Sequence, residues 1–489
     1  MNSFIPVFRV LGVAAMVFGA MMLLPLGISL AQGDAALMAY PPSIAITVGV
    51  GALIWFLSNN DKSELQRHHG VLLVILAWSG LPMFATLPLL FFFDRAGTPI
   101  SFTNAYFEAL SGLTTTGATV LSGLDALPPS INVWRCFLQW LGGGGILVLM
   151  VAILPLVGVG GSQVFRAEAS GPMKDTKLTP RMAETAKGLW KVYSMASAAC
   201  FVAYWAAGMP PMDALMHMFS TISSGGFSSH DASFGYFKSP LLEWIAVVFM
   251  IFTSCSYALY FAGLYRRDPM LIVQDTQFRG TVAVMVGTSL IVALVLLAKG
   301  TYADPSVALR MAFFHVASIA STTGYATVDY GLWPILIPVL LLLVSGLASS
   351  AGSTGAGVKM IRLIIALKHT RREMQRILHP RMVSPVIVSR HIVSPETSFA
   401  ILGFLLVYGA STILLTLLLL LTDMKFDTAV SAVVTTINTT GPGLNEIGPA
   451  GNFRTLTDYQ KWILIVSMLL GRLELLPLFM VFSPSFWRR

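Results

Sequence analysis

Charge is scarce in this sequence. Asp, Glu, Lys and Arg make up 11% of its 489 residues, against about 25% in a typical soluble domain, while 55% are hydrophobic. A mean hydropathy of +0.74 agrees with that shortage, and together they exclude an ordinary water-soluble domain. Cysteine is rarer still. Cys136, Cys200 and Cys255 stand singly within apolar stretches, which excludes a disulfide framework and reads as buried small hydrophobes. No HExxH, G-x-S-x-G or P-loop pattern occurs, so an intramembrane enzyme is only a remote alternative. His217 and His315 have no ligand constellation around them and read as packing or hydrogen-bonding residues. The excess of 31 basic over 23 acidic residues would suggest nucleic acid in a soluble protein. Here the basic residues lie between apolar spans, so they speak to topology, and no nucleic acid partner is expected.

Apolar runs are what the chain has in quantity. About 20 apolar residues cross the hydrocarbon core as a helix. Runs meeting or approaching this lie near 8–30, 43–58, 71–93, 132–157, 190–208, 240–263, 281–299, 332–367, 398–422 and 460–482. The first is followed by no clear cleavage site and reads as a retained span. The eighth is too long for one span and is interrupted at 345–357 (SGLASSAGSTGAG). The expectation is an all-α polytopic protein of ten spans. Basic residues gather in alternate loops: Lys62 and Arg67, then Arg166, Lys174, Lys177, Arg181 and Lys187, then Arg266, Arg267 and Arg279. Residues 359–391 and the closing Arg488-Arg489 continue the series. These loops and both termini are therefore predicted to be cytoplasmic.

The opposite loops run to 30–50 residues and contain Gly/Ser/Thr-rich segments too short to span, which read as re-entrant helices at about 103–120, 211–228, 304–327 and 425–444. Each holds a related tetrapeptide: Thr114-Thr115-Thr116-Gly117, Ile222-Ser223-Ser224-Gly225, Ser321-Thr322-Thr323-Gly324 and Asn438-Thr439-Thr440-Gly441. One alone means little, since Ser, Thr and Gly are ordinary loop formers. Four, recurring about every hundred residues between spans, make an internal repeat of span, short helix, loop and span. A dehydrating cation needs its water replaced by backbone carbonyls, and irregular backbone at membrane depth is tolerated where it lines a cavity. The short helices are expected to start at Thr103 or Asn104, Asp213, Asp304 and Asp427, which turns their negative ends toward the loops. Five to eight residues past each glycine comes one acid: Asp125, Asp231, Asp329 and Glu446. These are expected either to form a mouth that concentrates cations or to be four solvated loop acids.

These features resemble the TrkH family, the potassium-uptake (pore) subunits of the bacterial Trk system within the Trk/Ktr/HKT superfamily. Further matching motifs are Trp140-Leu141-Gly142-Gly143, residues 171–181, Gly352-Ser353-Thr354-Gly355 and Gly471-Arg472-Leu473-Glu474. The resemblance implies four M1–P–M2 units in one polypeptide, at 67–161, 162–265, 266–391 and 392–489, after an N-terminal helix pair at 1–66. It implies a filter selective for K+, with Rb+ permeant and no organic cofactor. It also implies a homodimer in the bacterial inner membrane, served by a cytosolic nucleotide-binding regulatory subunit of the TrkA type, for which 162–191 and 359–391 offer basic docking surfaces. The filter is only pseudo-fourfold: the second loop offers Ser223-Ser224, and the residue after the glycine varies (Ala118, Gly226, Tyr325, Pro442).

Two features lie where the pore should narrow. The small residues at 345–357, among them Gly346, Ser349, Ser350, Gly352, Ser353, Gly355 and Gly357, fit a loop lining a cavity or close helix packing; the resemblance implies a movable gate. Arg472, a charge inside the last apolar run, either faces the pore as an electrostatic barrier or pairs with a cytoplasm-side carboxylate. With no nucleotide motif in the chain, the ion gradient and membrane potential should drive uptake. A sodium- or proton-coupled symporter is the alternative, though ionisable groups within the spans are few.

Overall fold

Where apolar residues run on for a membrane's thickness, the backbone can satisfy its own polar groups only as a helix, and helices dominate this chain. The computed structural model describes residues 4–59, 67–152, 178–382, 384–389 and 391–487. Lys62, Arg166, Lys174, Lys177, Arg390, Arg488, Arg489 and residues 171–177 lie outside the described residues. The chain opens with α1 (Ile5–Met21), α2 (Leu23–Gln32) and α3 (Tyr40–Ser58). Small residues let α1 and α3 touch backbone to backbone: a Cβ on Gly12 would stand 2.7 Å from the Gly51 carbonyl oxygen.

A pattern of long helix, short helix, irregular loop and closing helix then recurs four times. The first instance is α4 (Arg67–Ala85) with α5 (Leu87–Arg95), α6 (Phe102–Leu113) and α7 (Pro129–Ala152). The second is α8 (Leu178–Ala206), α9 (Pro211–Ile222), α10 (Pro240–Thr253) and α11 (Tyr257–Arg266). After a short α12 (Met270–Gln274) come α13 (Thr276–Ala298), α14 (Pro305–Ala320), α15 (Leu336–Ser345) and α16 (Met360–Leu378). A two-residue hairpin, β1 (Ile387–Val388) with β2 (His391–Ile392), leads to α17 (Pro395–Leu420), α18 (Phe426–Ile437), α19 (Asp458–Arg472), α20 (Leu476–Phe482) and α21 (Pro484–Trp487).

Polarity is distributed inside out. α13 exposes Leu290, Ile291 and Leu294, and α17 exposes Phe399, Leu406, Ile413 and Leu417, while Ser and Thr hydroxyls crowd the interior. Among the described residues, five helical stretches are long and apolar enough to cross a bilayer, or six with the bent α10–α11 pair. An apolar girdle of this extent needs lipid around it. The chain is an integral membrane protein.

The closing helices differ from expectation. The run at 332–367 breaks between Ser345 and Met360 as predicted, but 240–263 and 460–482, read as continuous, break too. α10 and α11 meet at 87°. Just before the bend, the Thr253 and Ser254 hydroxyls both bond back to the Met250 carbonyl, competing with the helix ladder. α19 stops at Arg472, where Glu474 and Leu475 take φ of 54° and 57°. Pro477, near the start of α20, has no N–H with which to continue the earlier helix.

Candidate functional site: a ring of four loops

The four short helices end alike. Each stops at a right-handed cap residue, Thr114, Ser223, Ser321 or Asn438. The next residue swings to positive φ: Thr115 at 55°, Ser224 at 55°, Thr322 at 63°, Thr439 at 53°. The third donates its N–H back into the helix, Thr116 to Ser111, Gly225 to Ser220, Thr323 to Ser318 and Thr440 to Thr435, at 2.7–2.9 Å. A glycine at positive φ follows: Gly117 (79°), Gly226 (81°), Gly324 (82°) and Gly441 (93°). This geometry shifts the second loop by one residue from the expected register. Its tetrapeptide is Ser223–Gly226; Ile222 is the last helical residue, its carbonyl capped by the Tyr257 hydroxyl at 3.1 Å. The helix starts also differ in part. Ser101 caps α6 in place of Thr103 or Asn104, Asp304 caps α14 as expected, and Asp213 and Asp427 sit inside the first turns of α9 and α18.

The loops close on one another. A Cβ on Gly117 would fall 2.2 Å from the carbonyl oxygen of Gly225, one on Gly226 1.8 Å from that of Thr323, one on Gly324 2.0 Å from that of Thr440, and one on Gly441 2.7 Å from that of Thr116. Each loop's glycine thus seats the third carbonyl of the next loop, and the fourth returns to the first. Only glycine combines this φ with this approach. Converging carbonyls at the negative ends of four helices are the groups that can replace a cation's water. The hydroxyls of Thr115, Thr322 and Thr439 are buried with no hydrogen-bond partner among the described residues. A buried hydroxyl left unpaired costs about 1–3 kcal/mol, and a cation or its hydration water would relieve that cost. Ser224 differs, bonding Thr253 at 3.1 Å and Thr354 at 2.9 Å.

Behind the ring stand braces. Glu108, His217 and His315 each lie nine residues ahead of a ring glycine (117 − 108, 226 − 217, 324 − 315), and each ties the limb beyond it to its helix. Glu108 accepts from Val120 N at 2.9 Å, His217 pairs with Ser228 Oγ at 3.0 Å, and His315 accepts from Thr327 N at 3.3 Å. In the fourth loop Ser431 accepts from Leu444 N at 3.1 Å. The hydrogen-bonding reading of the two histidines agrees with this. Glu108 and Arg135 were not among the expected site residues, yet they form a buried ion pair at 2.8 Å, each side chain 1% exposed. Arg135 also reaches the Ser228 carbonyl at 3.2 Å. Removing one member of such a pair strands a buried charge, at about 3–5 kcal/mol.

The four loop acids do not act alike. Asp231 accepts from Leu124 N at 3.2 Å, Asp329 from Gly331 N at 2.9 Å, and Asp125 from Asp231 N at 3.2 Å; Glu446 stands exposed. Asp125 also meets His230 Nδ1 at 2.5 Å, while Asp213 faces His230 Nε2 at 3.3 Å. Both nitrogens can serve carboxylates only as imidazolium. Burial opposes that charge, but the Asp213 and Asp125 carboxylates on either side of the ring hold the His230 pKa above 6.5. A raised folded-state pKa means stabilisation complete below pH 6.5 and lost as pH rises through the folded value. The melting temperature of the purified protein should therefore fall between pH 6 and pH 9, by the equivalent of about 0.2–1 kcal/mol for a partly exposed pair. His230→Gln should flatten that slope; an unchanged slope would show that the pair contributes nothing.

Below the ring, residues 346–359 fold back on themselves. Val358 N bonds the Gly346 carbonyl and Met360 N the Ser349 carbonyl, both at 2.7 Å. The segment is stitched to the α10–α11 bend: Ser350 N bonds the Ser254 carbonyl at 2.8 Å and Tyr257 N the Gly352 carbonyl at 3.0 Å. Gly355 packs under the third loop, where a Cβ would stand 2.8 Å from Thr322 Oγ1. Arg472 is 2% exposed and donates to the Thr354 and Gly142 carbonyls, each at 2.8 Å, with its guanidinium 5.2 Å from the Trp78 ring. No carboxylate pairs with it among the described residues; Glu474 pairs with Arg362 at 2.5 Å instead. Lys359, expected as a topological charge at the start of a basic docking segment, is instead 3% exposed and donates to the Gly355 carbonyl.

Comparison with known proteins agrees in kind with this geometry. The profile of the TrkH family, described as cation transport proteins, matches residues 38–489. The Trk system potassium uptake protein TrkH of Vibrio parahaemolyticus is 43% identical over 489 residues, covering 99% of this chain and 100% of that protein. TrkH of Escherichia coli K12 is 40% identical, covering 98% of each, and the TrkG protein of that strain is 32% identical, covering 98% and 97%. The crystal structure of the Vibrio parahaemolyticus potassium transporter TrkH superposes with a TM-score of 0.91 at 40% identity, over 99% of this chain and 100% of that one. This chain therefore belongs to the TrkH family of cation transport proteins.

Proposed function

We propose that the four loops are the selectivity filter of a gated, channel-like pore through which K+ enters a bacterial cell across its inner membrane. The observation that carries this reading is the closed ring in which each glycine seats the next loop's carbonyl. The repeated helix pattern supports ten spans with re-entrant short helices, divided into an N-terminal pair and four quarters as the repeat suggests. A membrane potential of 100 mV supplies about 2.3 kcal/mol per monovalent ion, or roughly fiftyfold accumulation without coupling. Residues 346–359 are the gate and Arg472 its barrier and latch, held shut at rest by the two carbonyls it binds. A sodium- or proton-coupled symporter would call on an uncommitted buried carboxylate; buried Glu108 and Glu243 and half-buried Glu474 each face an arginine. The relatives' names place them in a Trk system, consistent with a dimer served by a TrkA-type regulatory subunit, for which exposed Arg371 and Arg376 on α16 offer a basic face.

Current–voltage curves of the purified protein in liposomes test the reading. Reversal should follow the K+ potential and ignore pH and Na+ gradients. Reversal that tracks either gradient would replace the channel by the coupled mechanism.

A further inference from the structure

The second loop alone carries glycine at the third ring position, where the others have Thr116, Thr323 and Thr440. In the first and third loops that threonine bonds the hydroxyl two residues earlier, Thr114 to Thr116 at 2.8 Å and Ser321 to Thr323 at 2.7 Å, stiffening the loop behind its carbonyls. Gly225 has no side chain for this, and its place is already filled. A Cβ there would fall 2.4 Å from Gln139 Cδ, 2.5 Å from Oε1 and 2.8 Å from Nε2. Gln139 is fully buried and comes from α7, in the preceding quarter. Its Nε2 donates to the Gly225 carbonyl at 2.7 Å, and its Oε1 accepts from Phe227 N at 3.1 Å. One carboxamide thus spans the ring glycine from both sides. No equivalent donor reaches the carbonyls of Thr116, Thr323 or Thr440 among the described residues.

We propose that Gln139 is a specificity-determining positioning residue, which stands in for the missing threonine and holds the Gly225 carbonyl in the ring. This rests on the filter reading above. A carbonyl that already accepts an N–H offers a cation a weaker and more fixed oxygen, so the second quarter contributes placement where the others contribute field. Discrimination between K+ and Na+ then depends on a side chain outside all four loops.

The test is the K+/Na+ permeability ratio, from bi-ionic reversal potentials of the full-length protein in liposomes. Gln139→Met keeps the volume and removes both hydrogen bonds; the ratio should fall about fivefold, the worth of roughly one hydrogen bond. Gly225→Thr alone collides with the carboxamide and should impair conduction. Gln139→Ala with Gly225→Thr supplies the arrangement of the first and third loops, with Ser223 two residues earlier, and should recover most of the ratio. An unchanged ratio in Gln139→Met, or a double variant no better than Gly225→Thr, would overturn the proposal. Gly324→Ala separates this from the filter reading itself. If it shifts the ratio and Gln139→Met does not, only the role of Gln139 fails; if neither does, the filter reading fails with it.

Discussion

Gly226→Ala should abolish K+-selective transport, whereas Gly225→Ala, one residue away, should leave much of it. At Gly226 φ is 81° and a new Cβ would lie 1.8 Å from the Thr323 carbonyl oxygen. A left-handed non-glycine residue costs about 1–3 kcal/mol by itself, and the backbone carbonyl cannot yield without opening the ring. A displacement worth about 3 kcal/mol corresponds to roughly a hundredfold loss. Gly225 has no such φ, and its Cβ meets the Gln139 carboxamide and no backbone, so the loss there should be that of the two Gln139 hydrogen bonds, about fivefold. Rubidium uptake into proteoliposomes, normalised to folded protein, measures both. Equal losses, or a heavier loss at Gly225, would return the second loop to the Ile222–Gly225 register.

Arg472→Ala should accelerate rubidium uptake. At about 5 Å and an effective dielectric near 20, a guanidinium repels a monovalent cation by roughly 3 kcal/mol, which caps the gain near two orders of magnitude. The substitution also cuts both bonds to the Thr354 and Gly142 carbonyls. Arg472→Lys divides the two effects, since it keeps the charge but loses the planar fork that spans two acceptors. A lysine variant as slow as the parent identifies the charge as the barrier; one as fast as alanine identifies the latch. Uptake per folded molecule that alanine leaves unchanged would remove Arg472 from the gate.

Much of this site is legible in the chain because cation chemistry demands residue types that apolar spans otherwise avoid. Four Ser/Thr-Gly clusters stand out against Leu and Val, as do the small residues at 345–357. The second register is less legible. Two consecutive glycines, Gly225 and Gly226, both satisfy the motif, and the tetrapeptide by itself does not decide which takes positive φ. The spacing to His217 and His315 carries the answer, since nine residues separate each from its ring glycine when Gly226 is chosen. Glu108 inside an expected short helix and Arg135 inside an apolar run are isolated charges 27 residues apart until the fold buries them together. The loop acids are legible only as a count: which of them accept from neighbouring N–H groups depends on the fold. The breaks at the ends of α10 and α19 are easily overlooked, since Leu, Val and Phe continue on either side; their signals are the polar run Thr253-Ser254-Cys255-Ser256, and Arg472, Glu474 and Pro477.

The stitching of residues 346–359 to the α10–α11 bend sets the mechanics of any opening stroke. Two main-chain bonds, at Ser350–Ser254 and Tyr257–Gly352, couple a loop of the third quarter to a hinge of the second. A loop so attached has no independent trajectory: it either ruptures both bonds or carries the hinge along as one lever. α7 has no comparable break over its described length. The assembly is thus lopsided, with one closing helix unbroken over its described length against three jointed ones, although the ring repeats four times.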